Sequence, residues 1–327
     1  MIPSIGVDIG GTKVLAAVVD GTGRVLDTEA TATPGQGPGP DRASAGEVEE
    51  ALVDVTSRLL AVYGRCPVGV AAAGFVDRDA QRVRFAPHLP WRDEPLSKRL
   101  NVRLAGRIQG DVLVDNDATA ALWAEGRFGA ARNVLDAVMI TLGTGIGGGL
   151  MLRGALHRGA NGMAGEFGHM QVVPDGRECQ CGRRGCWEQY CSGRALARAA
   201  EEAGSELSGP ALTTAAYEGD LVASAAYEQV AHWLGVGAAN LTAAFDPQVV
   251  VVGGGVSAAG ELLLAPTRRA FSRTLVGRGY RPEPVITAAA LGPDAGFVGA
   301  ADMARSAARR SRRRRRRRRE RPLFSRQ

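Results

Sequence analysis

Two segments of this 327-residue chain repeat the same order of elements: a short apolar strand, a glycine-rich turn and a second apolar strand. They are residues 5–19, with the turn at residues 10–12, and residues 137–152, with the turn at residues 143–149. Apolar runs of this length bounded by glycine are typical of buried strands joined by a tight turn. The repeat therefore indicates that the two halves are variants of one unit. The length of the chain allows two domains of ordinary size, each with its own core.

Other segments show further strand and helix patterns. Apolar runs predict strands at residues 68–72, 112–115, 249–252 and 285–287. Apolar residues at helical spacing, or polar helix-start signals, predict helices at about residues 48–62, 116–126, 222–241, 260–275 and 294–308. The Pro- and Gly-rich residues 33–47 predict a surface loop.

The two glycine turns could hold a phosphate, because bare backbone amides can approach an anion closely. If the turns faced each other, they would hold a polyphosphate between those amides and the hydroxyls of Thr12, Thr141 and Thr144. Most Gly-Gly turns are plain hairpin turns, so that alternative stays open. Residues 143–149 also spell the Gly-x-Gly-x-x-Gly of dinucleotide-binding folds, but a strand is predicted where that motif requires a helix.

Polar side chains follow the strand at 112–115, where Asn116 and Asp117 open a helix. Ligands collect at such strand ends in open parallel sheets. The helix dipole favours the charged form of a carboxylate in the first turn, which would keep Asp117 ready to accept a proton. The same pair could equally be a simple helix cap.

Two further loops are candidates for ligand contact. The turn Gly253-Gly254-Gly255 follows an apolar strand and would allow close approach of a flat or ribose-like ligand. In the loop after residues 68–72, the candidates are Gly74, His88 and Trp91, although a loop tryptophan as often covers the core.

One histidine and three of the five cysteines lie within a single short segment. They are His169, Cys179, Cys181 and Cys186. This set completes a tetrahedral zinc site, and four protein ligands leave no open position for an activated water, so the zinc would be structural. The spacing differs from the double Cys-x-x-Cys of zinc ribbons, so free thiols remain an alternative. A disulfide is the weaker rival, since Cys179 and Cys181 are too close to bridge comfortably. Glu166 and Glu188 flank the loop and could accept hydrogen bonds from a hydroxyl-rich ligand such as a sugar.

The net charge of +6 is unevenly distributed. Residues 309–327 contain twelve arginines and one glutamate, a net of +11, so the rest of the chain carries −5. Such a run of like charges predicts a disordered, solvated tail, with non-specific nucleic-acid binding as the alternative. The N-terminus shows no export signal, and no apolar run approaches the length of a membrane span, so we expect a cytoplasmic protein with reduced cysteines.

Six motifs, taken together and in this order, resemble the ROK family of sugar kinases and repressors, and within it the bacterial ATP-dependent glucokinases. They are Asp8-Ile9-Gly10-Gly11-Thr12-Lys13, Asp115-Asn116-Asp117-Ala118, the glycine run 143–149, Glu166-Phe167-Gly168-His169, the cysteine loop 179–188 and Val251-Val252-Gly253-Gly254-Gly255. The resemblance covers residues 5 to about 304. It implies an α/β, actin-like or hexokinase-type (ribonuclease H-like) fold with two domains around a central cleft. The small domain would contain residues 1–116 and the helix 294–308, and the large domain residues 117–293 with the zinc loop 166–188.

The resemblance also implies ligands and roles. Asp117 would be the general base that takes the proton of the sugar 6-hydroxyl as that oxygen attacks the γ-phosphate of ATP. The sugar would be held by Gly74, Asn116, Asp117, Glu166, His169 and Glu188. ATP with Mg²⁺ would be held by Asp8, Gly10, Gly11, Thr12, Lys13, Thr141, Gly143, Thr144, Gly145, Gly253, Gly254 and Gly255. His169 would bind zinc through one ring nitrogen and the sugar through the other. A homodimer or homotetramer, with no membrane partner, is implied as well.

One departure leaves the hexose open: His88 stands where many relatives have asparagine before the tryptophan of the sugar loop. The alternatives are a kinase for mannose, fructose, N-acetylglucosamine or N-acetylmannosamine, and a glucokinase that uses inorganic polyphosphate. A ROK-type repressor would require a helix-turn-helix before the first glycine hairpin, and four residues precede that hairpin.

Overall fold

A computed structural model of the chain describes residues 2–35 and 43–319, with side chains described as far as Arg312. Part of the predicted loop 33–47 and the end of the predicted tail therefore lie outside the described residues. The chain forms two compact units. The first comprises Met1–Ala124, Ala160–Gly162 and Ala295–Gln327, and the second comprises Glu125–Gly159 and Met163–Asp294. This division places Asp117 in the first unit, on the other side of the boundary expected at residue 116.

The first unit is built on a five-stranded sheet. Its strands are β1 (Ser4–Ile9), β2 (Lys13–Val19), β3 (Val25–Ala32), β4 (Val68–Ala72) and β8 (Leu113–Asn116), in the order β3-β2-β1-β4-β8. A small second sheet contains β5 (Phe75–Val76), β6 (Val83–Phe85) and β7 (Arg92–Glu94). The helices are α1 (Ala45–Tyr63), α2 (Leu96–Arg103), the start of α3 (Asp117–Phe128) and α8 (Ala295–Arg319). Strand β1 is antiparallel to β2 and parallel to β4, so the ends of β1, β4 and β8 lie at one edge.

Glycines let α8 pack directly on this sheet. A Cβ added to Gly6 would lie 1.8 Å from the carbonyl oxygen of Phe297, and one added to Gly69 would lie 2.2 Å from that of Ala300. No side chain fits at either distance. Helix α8 therefore covers β1 and β4, although more than two hundred residues separate it from either strand in sequence.

The second unit repeats the same strand arrangement. Its sheet has the order β11-β10-β9-β12-β13, with β9 (Ala137–Leu142), β10 (Ile146–Leu152), β11 (Ala155–Leu156), β12 (Val249–Gly253) and β13 (Val285–Ala288). Its helices are the end of α3, α4 (Gly193–Glu202), α5 (Gly209–Tyr217), α6 (Leu221–Phe245) and α7 (Glu261–Thr274). Strand β9 is antiparallel to β10 and parallel to β12, just as β1 is antiparallel to β2 and parallel to β4. The prediction that the two halves are variants of one α/β unit is confirmed.

Two local predictions are wrong. The glycine run 143–149 is not one long turn, because β10 begins at Ile146 and Gly147–Gly149 pair with β9. The reason lies in packing: a Cβ at Gly148 would lie 2.3 Å from both the Gly165 oxygen and the Phe167 ring. The last helix also does not end near Ala308, since α8 continues to Arg319. Arginine is a good helix former and extends a helix already begun on the sheet.

Among the described residues, no helix combines the length and the apolar character that a membrane crossing requires.

Candidate active site

The first glycine turn joins β1 to β2 in the first unit. Thr33 holds it from behind: its amide donates to the Thr12 oxygen at 3.1 Å, and its hydroxyl donates to the Gly10 oxygen at 2.9 Å. A Cβ added at Gly10 would meet no atom within 4 Å, so the space in front of the turn is open. The side chains of Thr12 and Lys13 are exposed beside it. The turn thus offers backbone and side-chain donors to an anion.

Asn116 and Asp117 stand where β8 meets α3. The Thr119 amide donates to Asn116 Oδ1 at 3.0 Å, so Asn116 does cap the helix. Its Nδ2 also donates to the Gly74 oxygen at 3.1 Å and to Asp117 Oδ1 at 3.0 Å. The Ala118 amide donates to the same Oδ1 at 2.9 Å. The cap therefore has a second consequence, because it fixes the orientation of the Asp117 carboxylate.

Asp8 and Asp117 are electrostatically coupled. Burial, followed by repulsion from Asp117, raises the pKa of Asp8 from 3.8 to about 7. Burial also raises the pKa of Asp117, against the lowering effect of hydrogen bonds from Ala118, its own amide and Asn116. The helix-dipole argument predicted the opposite net direction for Asp117, because it left desolvation out. Two carboxylates with raised pKa values in one place are typical of a functional site.

The two other glycine turns lie together in the second unit. The Gly143 amide donates to the Gly145 oxygen at 3.0 Å, which closes the turn between β9 and β10. Gly254 has a φ of 82°, and a Cβ there would lie 2.5 Å from the Leu142 oxygen, so only glycine fits between the turns. Cβ atoms added at Gly143 and Gly255 would meet no atom within 4 Å, which leaves open space beside both backbones. Thr144 is exposed and Thr141 half-buried at the same turn.

The predicted metal ligands are close together. Their four ligand atoms, from His169, Cys179, Cys181 and Cys186, all lie within 4.8 Å of one another. The Sγ atoms of Cys181 and Cys186 are 3.6 Å apart, and Cys179 Sγ is 3.8 Å from His169 Nδ1. A tetrahedral zinc ion with bonds of about 2.3 Å to sulfur holds sulfur ligands about 3.8 Å apart. The donor set and its spacing therefore fit a structural zinc ion, and Nδ1 is the histidine nitrogen that faces it.

Two 3-10 turns carry the acidic residues that flank the metal ligands. Glu166 precedes the 3-10 turn Phe167–His169, and Glu188 lies in a second 3-10 turn, Trp187–Gln189. Trp187 anchors the second turn, since its ring is fully buried and its Nε1 donates to the Trp233 oxygen on α6 at 2.8 Å. Glu188 is 8% exposed, and the Cys179 thiol donates to its Oε1 at 3.2 Å.

The structure corrects one candidate and adds another. Trp91 is fully buried in the core of the first unit, so it covers the core and is not a ligand residue. His88, in the same loop, is exposed. The residue that sequence reasoning missed is Arg194, whose Nε donates to the Thr144 oxygen at 3.0 Å. No sequence motif marked Arg194 among the chain's many arginines.

Comparison with known proteins agrees with this architecture. The ROK family profile matches residues 4–307. A glucokinase of Streptomyces coelicolor is 42% identical over 320 residues, covering 92% of this chain and 97% of that protein. An N-acetylmannosamine kinase of Escherichia coli is 33% identical over 303 residues, covering 88% of this chain and 97% of that protein.

A solved structure gives the same result for the fold. A ROK family glucokinase from Streptomyces griseus, crystallised with glucose and AMPPNP, is 44% identical and superposes with a TM-score of 0.83. The match covers 93% of this chain and 99% of that one. The predicted actin-like, hexokinase-type fold class is thereby confirmed. The chain belongs to the ROK family.

Proposed function

We propose that the chain is an ATP-dependent glucokinase, which transfers the γ-phosphoryl group of MgATP to the 6-hydroxyl of glucose. The observation that carries this proposal is the 44% identity, over 93% of the chain, to a glucokinase crystallised with glucose and an ATP analogue. The residue types of the site agree with this proposal. The glycine turns can bind phosphate, Glu166 and Glu188 can accept hydrogen bonds from sugar hydroxyls, and the oriented carboxylate of Asp117 can accept a proton.

Asp117 is the general base in this proposal. The bonds from Asn116 and Ala118 hold its carboxylate in one orientation, and burial raises its pKa, which makes it a stronger proton acceptor. It takes the proton of the sugar 6-hydroxyl as the oxygen attacks phosphorus and the bond to ADP breaks. Such assistance is worth about 10²- to 10⁴-fold in rate.

The glycine turns and their neighbours bind the nucleotide. Phosphoryl transfer depends mainly on positioning and charge neutralisation. Mg²⁺ supplies part of that neutralisation when bound. The chain would hold MgATP through Asp8, Gly10, Gly11, Thr12, Lys13, Thr141, Gly143, Thr144, Gly145, Gly253, Gly254 and Gly255. Of these, Lys13 adds positive charge, and the turns supply backbone amide donors.

The sugar hydroxyls are held by Gly74, Asn116, Glu166, His169 and Glu188. Zinc supplies a structural crosslink among His169, Cys179, Cys181 and Cys186. The ligands keep the 3-10 turns of Glu166 and Glu188 in place, and His169 Nε2 stays available for a sugar hydroxyl. We further propose a homodimer or homotetramer, which light scattering on the purified chain would measure.

The variant Asp117→Asn tests the mechanism. It keeps the side-chain size and the Oδ1 acceptor but removes the proton acceptor. We expect kcat to fall at least a hundredfold while glucose affinity, measured by calorimetry, changes little. Asp111→Asn, an exposed residue shortly before β8, is the control and should keep wild-type kcat. Near-normal turnover of the Asp117 variant would remove it from the base role.

A further inference from the structure

The N-terminus of α4 touches the glycine turn between β9 and β10 directly. The Gly193 amide donates to the Gly143 oxygen at 2.8 Å, and a Cβ at Gly193 would lie 2.9 Å from that oxygen. Backbone therefore packs on backbone with no side chain between. The helix start is itself fixed, because the Ala195 amide donates to the hydroxyl of its N-cap, Ser192, at 3.1 Å.

Arg194, the next residue along α4, bridges the turn and the acidic residue of the cysteine loop. Its Nε donates to the Thr144 oxygen at 3.0 Å, and its terminal nitrogen lies 3.9 Å from Glu188 Oε1. The side chain of Arg194 is 35% exposed, whereas that of Glu188 is 9% exposed. One rigid guanidinium thus contacts both a turn proposed to bind phosphate and a carboxylate proposed to bind sugar.

Glu188 is also in direct contact with the same turn. A Cβ at Gly145 would lie 2.4 Å from Glu188 Oε2 and 4.0 Å from the Arg194 guanidinium. The absence of a side chain at Gly145 therefore lets the carboxylate reach the turn. Arg194 and Gly145 therefore both lie beside the Glu188 carboxylate.

We propose that Arg194 is a positioning residue that couples the sugar-binding carboxylate Glu188 to the nucleotide-binding turn, so that sugar and nucleotide strengthen each other's binding. This inference rests on the proposed function. A sugar hydroxyl that binds Glu188 restricts the motion of its carboxylate. The guanidinium of Arg194 is then held in place, and through its bond to the Thr144 oxygen it holds the turn in the conformation that binds phosphate. Coupling between two sites is reciprocal, so each ligand must tighten the other by the same factor, about 5- to 150-fold in typical cases.

Isothermal titration calorimetry tests the coupling. The Kd of glucose is measured with and without saturating Mg²⁺ and AMPPNP, for the wild type, Arg194→Ala and Arg194→Lys. We expect a wild-type coupling factor of at least about fivefold. The alanine variant should reduce it to less than twofold while the Kd of glucose alone changes less than about threefold. Lysine keeps the charge but not the fork of donors, so its coupling should be intermediate.

Arg198→Ala is the matched control. Arg198 lies one turn further along α4, and its guanidinium donates to the Gln189 oxygen at 3.2 Å, beside Glu188 but not at the glycine turn. It should keep the wild-type coupling factor. The zinc content of every variant, measured by metal analysis, should stay at the wild-type value, which separates loss of coupling from loss of the loop.

Several results would overturn the proposal: no coupling in the wild type, wild-type coupling in Arg194→Ala, or an equal loss in Arg198→Ala. If Arg194→Ala does not fold, Arg194→Lys decides, and full coupling in that variant contradicts the need for the fork of donors. Failure of the proposed function is distinguishable, because it would appear as a wild type that binds no glucose or releases no ADP.

Discussion

The carboxylate of Asp8 offers a quantitative test of the site's electrostatics. Asp8 lies near the end of β1, where a Cβ added at Gly296 on α8 would come within 2.9 Å of its Oδ2. Burial and the neighbouring Asp117 raise its pKa from 3.8 to about 7. The substitution Asp8→Asn keeps the shape of the side chain and removes its ionisation, so it isolates the free energy that this charge costs.

The sign follows from proton binding. Between about pH 4 and pH 7 the folded chain keeps the Asp8 proton and the unfolded chain loses it, so the free energy of unfolding falls as the pH rises. The shift from 3.8 to about 7 corresponds to about 4 kcal/mol above pH 7. About 1.5 kcal/mol of this cost is already present at pH 5. Because Asp8 is half-buried and water reduces the cost, we expect about 2 kcal/mol between pH 5 and pH 8.5.

The assay is urea denaturation of the wild type and Asp8→Asn at pH 5 and pH 8.5, compared where the m-values agree. The variant should gain about 2 kcal/mol on the wild type between the two pH values. Asp27→Asn, an exposed residue of the same sheet on β3, is the control and should show no such gain. An Asp8 variant whose advantage is the same at both pH values would refute the reasoning.

Three further predictions concern the metal, the packing and the tail. Cys181→Ala should lose about one zinc per chain together with glucose binding, as measured by metal analysis and calorimetry; a wild type that contains no zinc would contradict the fit of the site. Gly148→Ala should lower the free energy of unfolding by about 1–3 kcal/mol in urea denaturation, because its methyl group would overlap Phe167. The control is Gly10→Ala, whose methyl group would meet no atom within 4 Å. Equal stabilities of the two variants would contradict this packing. Removal of residues 309–327 changes the net charge from +6 to −5. The truncated chain should lose its salt-sensitive retention on a polyanion column and keep the wild-type kcat. A fall in kcat would show that the tail contributes to catalysis.

The fold was predictable where local chemistry and tertiary packing agree. The sequence pattern predicts the hairpins at Gly10 and Gly143, because apolar runs bounded by glycine are typical of strands joined by a tight turn. The sequence pattern places Gly148 in the turn, because the residue that it accommodates, Phe167, comes from a segment about twenty residues later. The packing of α8 on Gly6 was equally invisible, because nothing in a sequence shows what a strand glycine faces.

The candidate site likewise has features that the sequence predicts and features that only tertiary contacts reveal. The four metal ligands were predictable because their residue types are rare and their spacing is local. The raised pKa of Asp117 was not, since desolvation depends on atoms that the fold brings in, and it outweighs the local helix dipole. The sequence does not distinguish Arg194 from the other arginines, because its proposed role rests on its contact with Thr144, which is fifty residues earlier in the chain.

The central claim is tested most directly by the release of ADP from MgATP by the purified chain. The acceptors to compare are glucose, mannose, fructose, N-acetylglucosamine and N-acetylmannosamine, with polyphosphate as the alternative donor. We predict that kcat/KM for glucose with ATP exceeds that of each other sugar by at least tenfold. Turnover of an N-acetyl sugar alone, or of glucose with polyphosphate alone, would contradict the assignment as an ATP-dependent glucokinase.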